Sequence, residues 1–196
     1  MKIDLILLAG GVSRRFAAIS RESEGKKLLA DFDGKPLFQY AFDAARAVSH
    51  LCRVLAVTRE PAIREEALCR GFCPVEAPPP DEGMAASMRA GILKARADAA
   101  LCFFVCDEPY FTGELRYGFL EAYAGQELPL GRVKSGNRFG SPTIFAPMFR
   151  EELLSIRGDE GGRSLLKRYP DRIFYYDVPE RALTDFDTPW AHRQNQ

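Results

Sequence analysis

Near the start of the chain, Ile3-Asp4-Leu5-Ile6-Leu7-Leu8 is a short apolar run that ends in Ala9-Gly10-Gly11. A run of this length closed by glycines predicts a buried strand meeting a tight turn. The pattern recurs downstream. Arg53 to Thr58, Phe72 to Glu76 and the wholly apolar Ala100 to Cys106 predict further strands, the last covered on both faces. Helical patterns lie between them: one opened by Gly34-Lys35-Pro36, then Pro61 to Arg70, Ala85 to Ala95 and Thr112 to Ala124. Beyond these the spacing predicts weak strands at Leu128–Leu130 and Thr143–Phe145, helices near Pro147–Ile156 and Gly162–Lys167, and a last strand over Arg172–Val178. Thr188-Pro189 predicts a terminal helix. Strand and helix alternation implies an α/β fold of three layers, α/β/α, around a mostly parallel sheet. Residues 1–196 form one domain on this reading, with no internal repeat and no low-complexity linker.

Composition narrows the function. The chain has 196 residues, 46% hydrophobic, with 27 Lys+Arg against 27 Asp+Glu. That neutral balance gives no basic excess for nucleic acid or an anionic membrane surface. No apolar run approaches the roughly 20 residues of a membrane helix, and the first residues lack the order of a secretion signal. These features predict a cytoplasmic protein. The odd count of 5 cysteines, Cys52, Cys69, Cys73, Cys102 and Cys106, contains no C-x-x-C pair, so neither a disulfide framework nor a zinc site is expected.

In sheets of this kind ligands bind beyond the carboxyl ends of the strands, and the chemically unusual residues fall there. The loop after the first strand, Ala9-Gly10-Gly11-Val12-Ser13-Arg14-Arg15-Phe16, lets backbone amides approach an anion closely. Arg14, Arg15, Arg21, Lys26 and Lys27 outnumber Glu22 and Glu24 in this region, as a polyphosphate site requires. Neither G-x-G-x-x-G nor G-x-x-x-x-G-K-[ST] is present, which excludes a dinucleotide fingerprint and a P-loop. Asp107, at the end of the central strand and followed by Glu108-Pro109, stands where a magnesium ligand is expected. Read alone it could equally cap the helix at Thr112. Asp185-Phe186-Asp187-Thr188-Pro189 reads by itself as a helix start, and becomes a metal candidate only if the chain returns it beside Asp107.

Taken in order, these stretches resemble the MobA-like nucleotidyltransferases. The match runs through Leu8-Ala9-Gly10-Gly11-x-Ser13-x-Arg15-Phe16, Lys27-Leu28-Leu29, Gly34-Lys35-Pro36-Leu37, the Gly83 to Gly91 segment and Asp107-Glu108-Pro109. It closes with Gly140-Ser141-Pro142, Gly158 to Arg163 and Asp185 to Pro189. The later motifs are closer to the molybdenum cofactor cytidylyltransferase branch. Gly10 is as in the guanylyltransferase branch and Glu108 replaces a usual glutamine, so the base stays open between CTP and GTP; Ala17 in place of a usual glycine has little consequence for it.

The resemblance implies a Rossmann-like nucleotide-diphospho-sugar transferase (GT-A-like) fold. It also implies transfer of a nucleoside monophosphate from an NTP to a molybdopterin-type phosphate acceptor, with loss of pyrophosphate and with Mg2+ as cofactor. Nucleotide contacts are then expected from Leu8, Ala9, Gly10, Gly11, Ser13, Arg15, Lys27, Ser87 and Asp107, with the backbone amides of Ala9 to Ser13 cradling phosphate. Arg15, Lys27 and Asp107 would be catalytic. Asp107 and Asp187 would hold the metal, with Asp185 as the alternative second ligand, and Gly140 and Arg163 would face the acceptor. A molybdoenzyme or its chaperone is the implied partner. A sugar-phosphate or polyol-phosphate acceptor, and a nucleotide-binding accessory protein without activity, are the alternative functions. Neither His50 nor His192 falls at a predicted strand end. A phosphate acceptor needs no base, because its second pKa is about 6.

Overall fold

The fold grows outward from the first strand. The computed structural model describes residues 1–10, 26–159 and 161–186. In it, β1 (Ile3–Leu8) is followed by the short pair β2 (Asp31–Phe32) and β3 (Lys35–Pro36), then α1 (Leu37–Ala47), β4 (Arg53–Thr58), α2 (Pro61–Cys69) and β5 (Cys73–Glu76). Next come α3 (Gly83–Lys94), β6 (Ala100–Val105), α4 (Gly113–Ala124), β7 (Leu130–Ser135) and β8 (Arg138–Phe145). The described chain ends through α5 (Arg150–Ser155), α6 (Arg163–Arg168) and β9 (Ile173–Asp177). Seven strands form one sheet in the order β5-β4-β1-β6-β8-β7-β9. β1 pairs parallel with β4 and β6, and β8 runs antiparallel to both β6 and β7.

Strand periodicity explains the layering. Ile3, Leu5 and Leu7 of β1 face one core, with Phe38 and Phe42 of α1, Ile63 of α2 and Phe119 of α4. Ile6 faces a second core, with Met88 and Ile92 of α3, Leu153 of α5 and Leu165 of α6. Alternate side chains of one strand thus divide between two helical layers. The order of the connections reverses between β1 and β6: the chain leaves β1 toward β4 and β5, then crosses back to β6. The crevice beyond that pair is where such folds bind ligands.

Several predicted boundaries move. The segment Gly34-Lys35-Pro36 does not open the helix; Asp33 (φ 51°) and Gly34 (φ 87°) form the turn of the β2–β3 hairpin, and α1 begins after Pro36. The weak strand expected at Leu128–Leu130 is β7, which starts only at Leu130. Thr143–Phe145 is the end of an eight-residue β8. Charged and small residues in Gly131–Ser141 break the apolar signal there, although the pairing with β6 and β9 is regular. The terminal helix expected at Thr188 lies outside the described residues.

Asp4, a charge inside the first strand, is fully buried. The backbone N–H and the Nε of Arg96 donate to its two carboxylate oxygens at 2.7 and 2.8 Å, and Arg96 also donates to the Ile3 carbonyl at 2.8 Å. The pair fastens the start of β1 to the loop before β6. Arg96→Ala leaves a buried carboxylate without its guanidinium, and a loss of about 3–5 kcal/mol is expected in urea denaturation. A loss below 1 kcal/mol would show that the pair is dispensable.

Candidate active site

Beyond the carboxyl ends of β1 and β6 lies a cavity of about 790 Å3. Its walls include Leu8, Asp107, Glu108, Gly140, Arg163 and Asp185. Lys27 opens a short helical turn, Lys27–Leu29, whose Leu28 and Leu29 pack against the core. The lysine is consequently only 8% exposed, and its Nζ donates to Asp107 Oδ2 at 2.6 Å. Two residues distant in sequence therefore meet at the mouth of the central strand.

The C-terminal motif returns to the same place. The Phe186 N–H donates to the Asp107 carbonyl at 2.9 Å. The Phe186 ring packs edge-on against Phe32, which also meets Tyr40 and Tyr110. This aromatic cluster, with Ala30 and Leu37, ties the β2–β3 hairpin to the last described segment. It leaves Asp185 in the cavity wall with Asp107 and Glu108. Asp187 lies outside the described residues.

Glu108 is the unexpected member of this group. It is only 7% exposed, and its Oε2 has no hydrogen-bond partner among the described residues. Burial, followed by the nearby Asp107 and Asp185 carboxylates, holds it well above the ordinary carboxylate range. Among the described residues no group of three or more His, Cys, Asp or Glu is disposed to hold a metal ion. Magnesium in nucleotide sites takes one or two carboxylates and completes its shell with phosphate oxygens and water. Asp107 and Asp185 in this wall supply carboxylates of the number such an ion takes, and the orphaned Glu108 oxygen lines the same wall.

Of the glycine loop, Ala9 and Gly10 are among the described residues. The Ala9 N–H, expected to join a phosphate cradle, instead donates to the Val57 carbonyl at 2.9 Å. It continues the sheet, so any cradle begins after it. Gly10 is required by packing: a Cβ there would lie 2.7 Å from the Ala77 Cβ and 3.6 Å from Ser87 Oγ. This close approach brings Ser87 of α3 beside the loop. Arg59, not anticipated from the sequence, donates to the carbonyls of Gly10 and Pro78 and ties the ends of β1, β4 and β5 together. Gly11, Ser13 and Arg15 lie outside the described residues.

On the other wall, Gly158 and Asp159 dock onto the start of α3. Asp159 Oδ1 accepts from the Met84 N–H at 3.1 Å, and the Gly158 carbonyl accepts from Ala85 at 3.0 Å. Gly83 (φ 76°) permits this contact, since a Cβ would sit 2.6 Å from Asp159 Oδ1. Two motifs separate in sequence thus form one wall and deliver Arg163 into the cavity. Gly140 also lines the cavity, but its missing side chain makes room for Leu183, which a Cβ would approach to 2.5 Å. Sequence reading missed Arg132, Arg138 and Lys167, all in the wall. Arg138 is anchored by donating to the Leu183 carbonyl at 2.7 Å. His50 stacks near Tyr117 on α4 and is absent from the cavity wall.

The fold and this crevice define a nucleotidyltransferase. The family model of the MobA-like NTP transferase domain matches residues 5–173, and the chain belongs to that family. Solved structures agree on the fold. The chain is similar to Rv0371c from Mycobacterium tuberculosis H37Rv (18% identity, TM-score 0.79, covering 100% of this chain and 96% of that chain), which has also been solved in complex with manganese. It is similar to the nucleotidyl transferase Mth528 from Methanothermobacter (17% identity, TM-score 0.76, 99% and 95% covered). It also resembles a CMP:2-keto-3-deoxy-manno-octonic acid synthetase complexed with CTP (14% identity, TM-score 0.69, 100% and 97% covered). No curated protein matches. Among the described residues no helix is long and apolar enough to cross a membrane.

Proposed function

We propose that the chain transfers CMP from CTP to the phosphate of a molybdopterin-type acceptor, releasing pyrophosphate, with Mg2+ as the divalent ion. The observation that carries this reading is the hydrogen bond from Phe186 to Asp107. It brings the C-terminal aspartate motif to the strand end where Lys27 already meets Asp107. Asp107, with Asp187 or Asp185, would hold the ion. When bound, the ion neutralises charge on the phosphates and aligns them.

The chain's own residues supply the rest. Lys27 presents a buried ammonium to the α-phosphate and the departing pyrophosphate, where a low dielectric strengthens its effect. By resemblance, Gly10, Gly11, Ser13 and Arg15 bind the triphosphate, Leu8 contacts the nucleotide and Ser87 faces the nucleoside. Gly140 and Arg163 face the acceptor. A phosphate acceptor arrives ionised, so alignment and charge neutralisation suffice without a histidine base.

The base is read as cytosine from the later motifs. Gly10, the residue shared with the guanylyl branch, is demanded by its contact with Ala77, so it does not argue for GTP. Radiolabelled CTP and GTP, supplied with molybdopterin and Mg2+, test the assignment. At least tenfold higher kcat/KM for CTP is expected, and a preference for GTP rejects the cytidylyl reading. Slow transfer to molybdopterin but rapid transfer to a sugar or polyol phosphate would reassign the acceptor.

A further inference from the structure

Two acidic side chains are buried among the described residues, Asp4 and Glu108. Asp4 takes two hydrogen bonds from Arg96; Glu108 Oε2 takes none. The cations whose charge reaches Glu108, Arg116 and Arg138, are held elsewhere. Arg116, fully buried on α4, lies 3.7 Å over the Phe104 ring and donates to the Ala41 carbonyl at 2.9 Å. Its Nε and Nη2 have no partner either, so the two opposite charges do not meet. Arg138 is spent on the Leu183 carbonyl. The backbone fixes Glu108 in the wall from both sides: the Phe186 N–H donates to the Asp107 carbonyl at 2.9 Å, and the Phe111 N–H to the Glu108 carbonyl at 3.4 Å.

A buried oxygen without a donor costs free energy in the free chain. At a binding surface that cost is returned when a ligand supplies the donor, and a ligand lacking it is rejected. The position of Glu108 tells which ligand meets it. Gly10 prolongs β1 between β4 and β6, with Ser87 beside it, and by resemblance belongs to the nucleotide half. Glu108 follows β6, whose other neighbour is β8. There Ser141 Oγ accepts from the Val105 N–H at 3.3 Å, and Gly140 before it is the residue already allotted to the acceptor. A magnesium ion takes one or two carboxylates, and Asp107 with Asp185 or Asp187 supplies that number. Glu108 is left for the acceptor.

We propose that Glu108 is a specificity-determining residue for the acceptor: Oε2 pairs with an N–H or O–H group of the molecule that carries the attacking phosphate. This deepens the transferase reading and rests on it. The acceptor keeps its single phosphate, aligned by the ion, and adds one neutral donor group that meets the wall just past the end of β6. A phosphate monoester with no N–H or O–H group would leave Oε2 unpaired and bind weakly. Because the free chain bears the cost, an apolar group of similar length in place of the carboxyl should stabilise the fold while it weakens acceptor binding.

The test compares the full chain with Glu108→Met, which keeps the length without polar oxygens, and Glu108→Gln, whose amide can turn its oxygen to the Oε2 position. Molybdopterin and, in a separate run, CTP are titrated calorimetrically in Mg2+. Glu108→Met is expected to weaken molybdopterin at least tenfold and to leave CTP affinity within about twofold of wild type. Glu108→Gln should recover molybdopterin binding to within about threefold. In thermal melts without ligand, Glu108→Met should raise Tm by about 2–4 °C. Unchanged molybdopterin affinity in Glu108→Met, no saturable binding by the wild type, or equal weakening of molybdopterin and CTP overturns the proposal, the last by marking Glu108 as a ligand of the ion. A lowered Tm, or failure of Glu108→Met to fold, overturns it as well, since the carboxyl would then hold the chain together. Transfer is scored apart. The expected binding pattern without transfer from CTP or GTP refutes the transferase reading alone, and transfer with wild-type molybdopterin affinity in Glu108→Met refutes the role of Glu108 alone.

Discussion

Asp107→Ala is expected to lower pyrophosphate release by about 1,000-fold or more. A divalent ion at a transferring phosphoryl group supplies several kcal/mol of charge stabilisation, and each 1.36 kcal/mol is about tenfold in rate. Asp107 is also the partner of Lys27 at 2.6 Å, so on the proposed mechanism its removal disturbs the ammonium as well as the ion's ligand set. The substitution leaves the architecture in place, because Phe186 is held by the backbone carbonyl of residue 107 and not by its side chain. Asp185 therefore stays in the cavity wall. Loss of rate with an unchanged thermal melt separates a missing carboxylate from a displaced C-terminal segment.

Asp107→Asn refines the same result. It keeps the size of the side chain and one oxygen but removes the charge, and it should lose nearly as much activity as alanine. Release at the wild-type rate in either variant removes Asp107 from the mechanism. Added Mn2+ at high concentration should recover part of the asparagine variant's rate and little of the alanine variant's, since asparagine retains an oxygen donor.

How much of this site the sequence disclosed depends on the kind of signal each residue carries. β1, β4 and β6 were legible because buried parallel strands are continuous apolar runs. Asp107 was legible because it ends one of them. β7 and β8 were legible only at Leu130 and at Thr143–Phe145, since Arg132, Lys134, Arg138 and Ser141 interrupt the rest. The unread extension of β7 beyond Leu130 also concealed Arg132, whose oddity appears only once Leu130 is known to share its face. The approach of Lys27 to Asp107 spans 80 positions, and no local pattern reports such a contact. The ordered motifs implied it by resemblance, and the hydrophobic anchoring of Leu28, Leu29 and Phe186 supplies the physical reason. Ala9 is the opposite case. Its place in the glycine loop suggested a free amide, but β1 pairing extends one residue beyond the strand and engages it.

Lys27→Ala carries the second large effect, a fall in kcat of about 100- to 1,000-fold, the range found when one preorganised donor to a developing oxyanion is removed. The argument is one of placement. An exposed lysine would interact with phosphate through water and lose little, but this ammonium is 8% exposed and already positioned on Asp107. Its charge needs no reorganisation when negative charge moves toward the leaving pyrophosphate. Lys27→Arg should restore only a minor part of the rate, because a planar fork does not occupy the slot of a compact ammonium. Because Lys27 and Asp107 are in direct contact, their effects should not add: the double alanine variant is expected to be little slower than Asp107→Ala alone. Fully additive losses would mean that the two residues act on separate steps, and a Lys27→Ala variant within threefold of wild type would take the lysine out of the reaction.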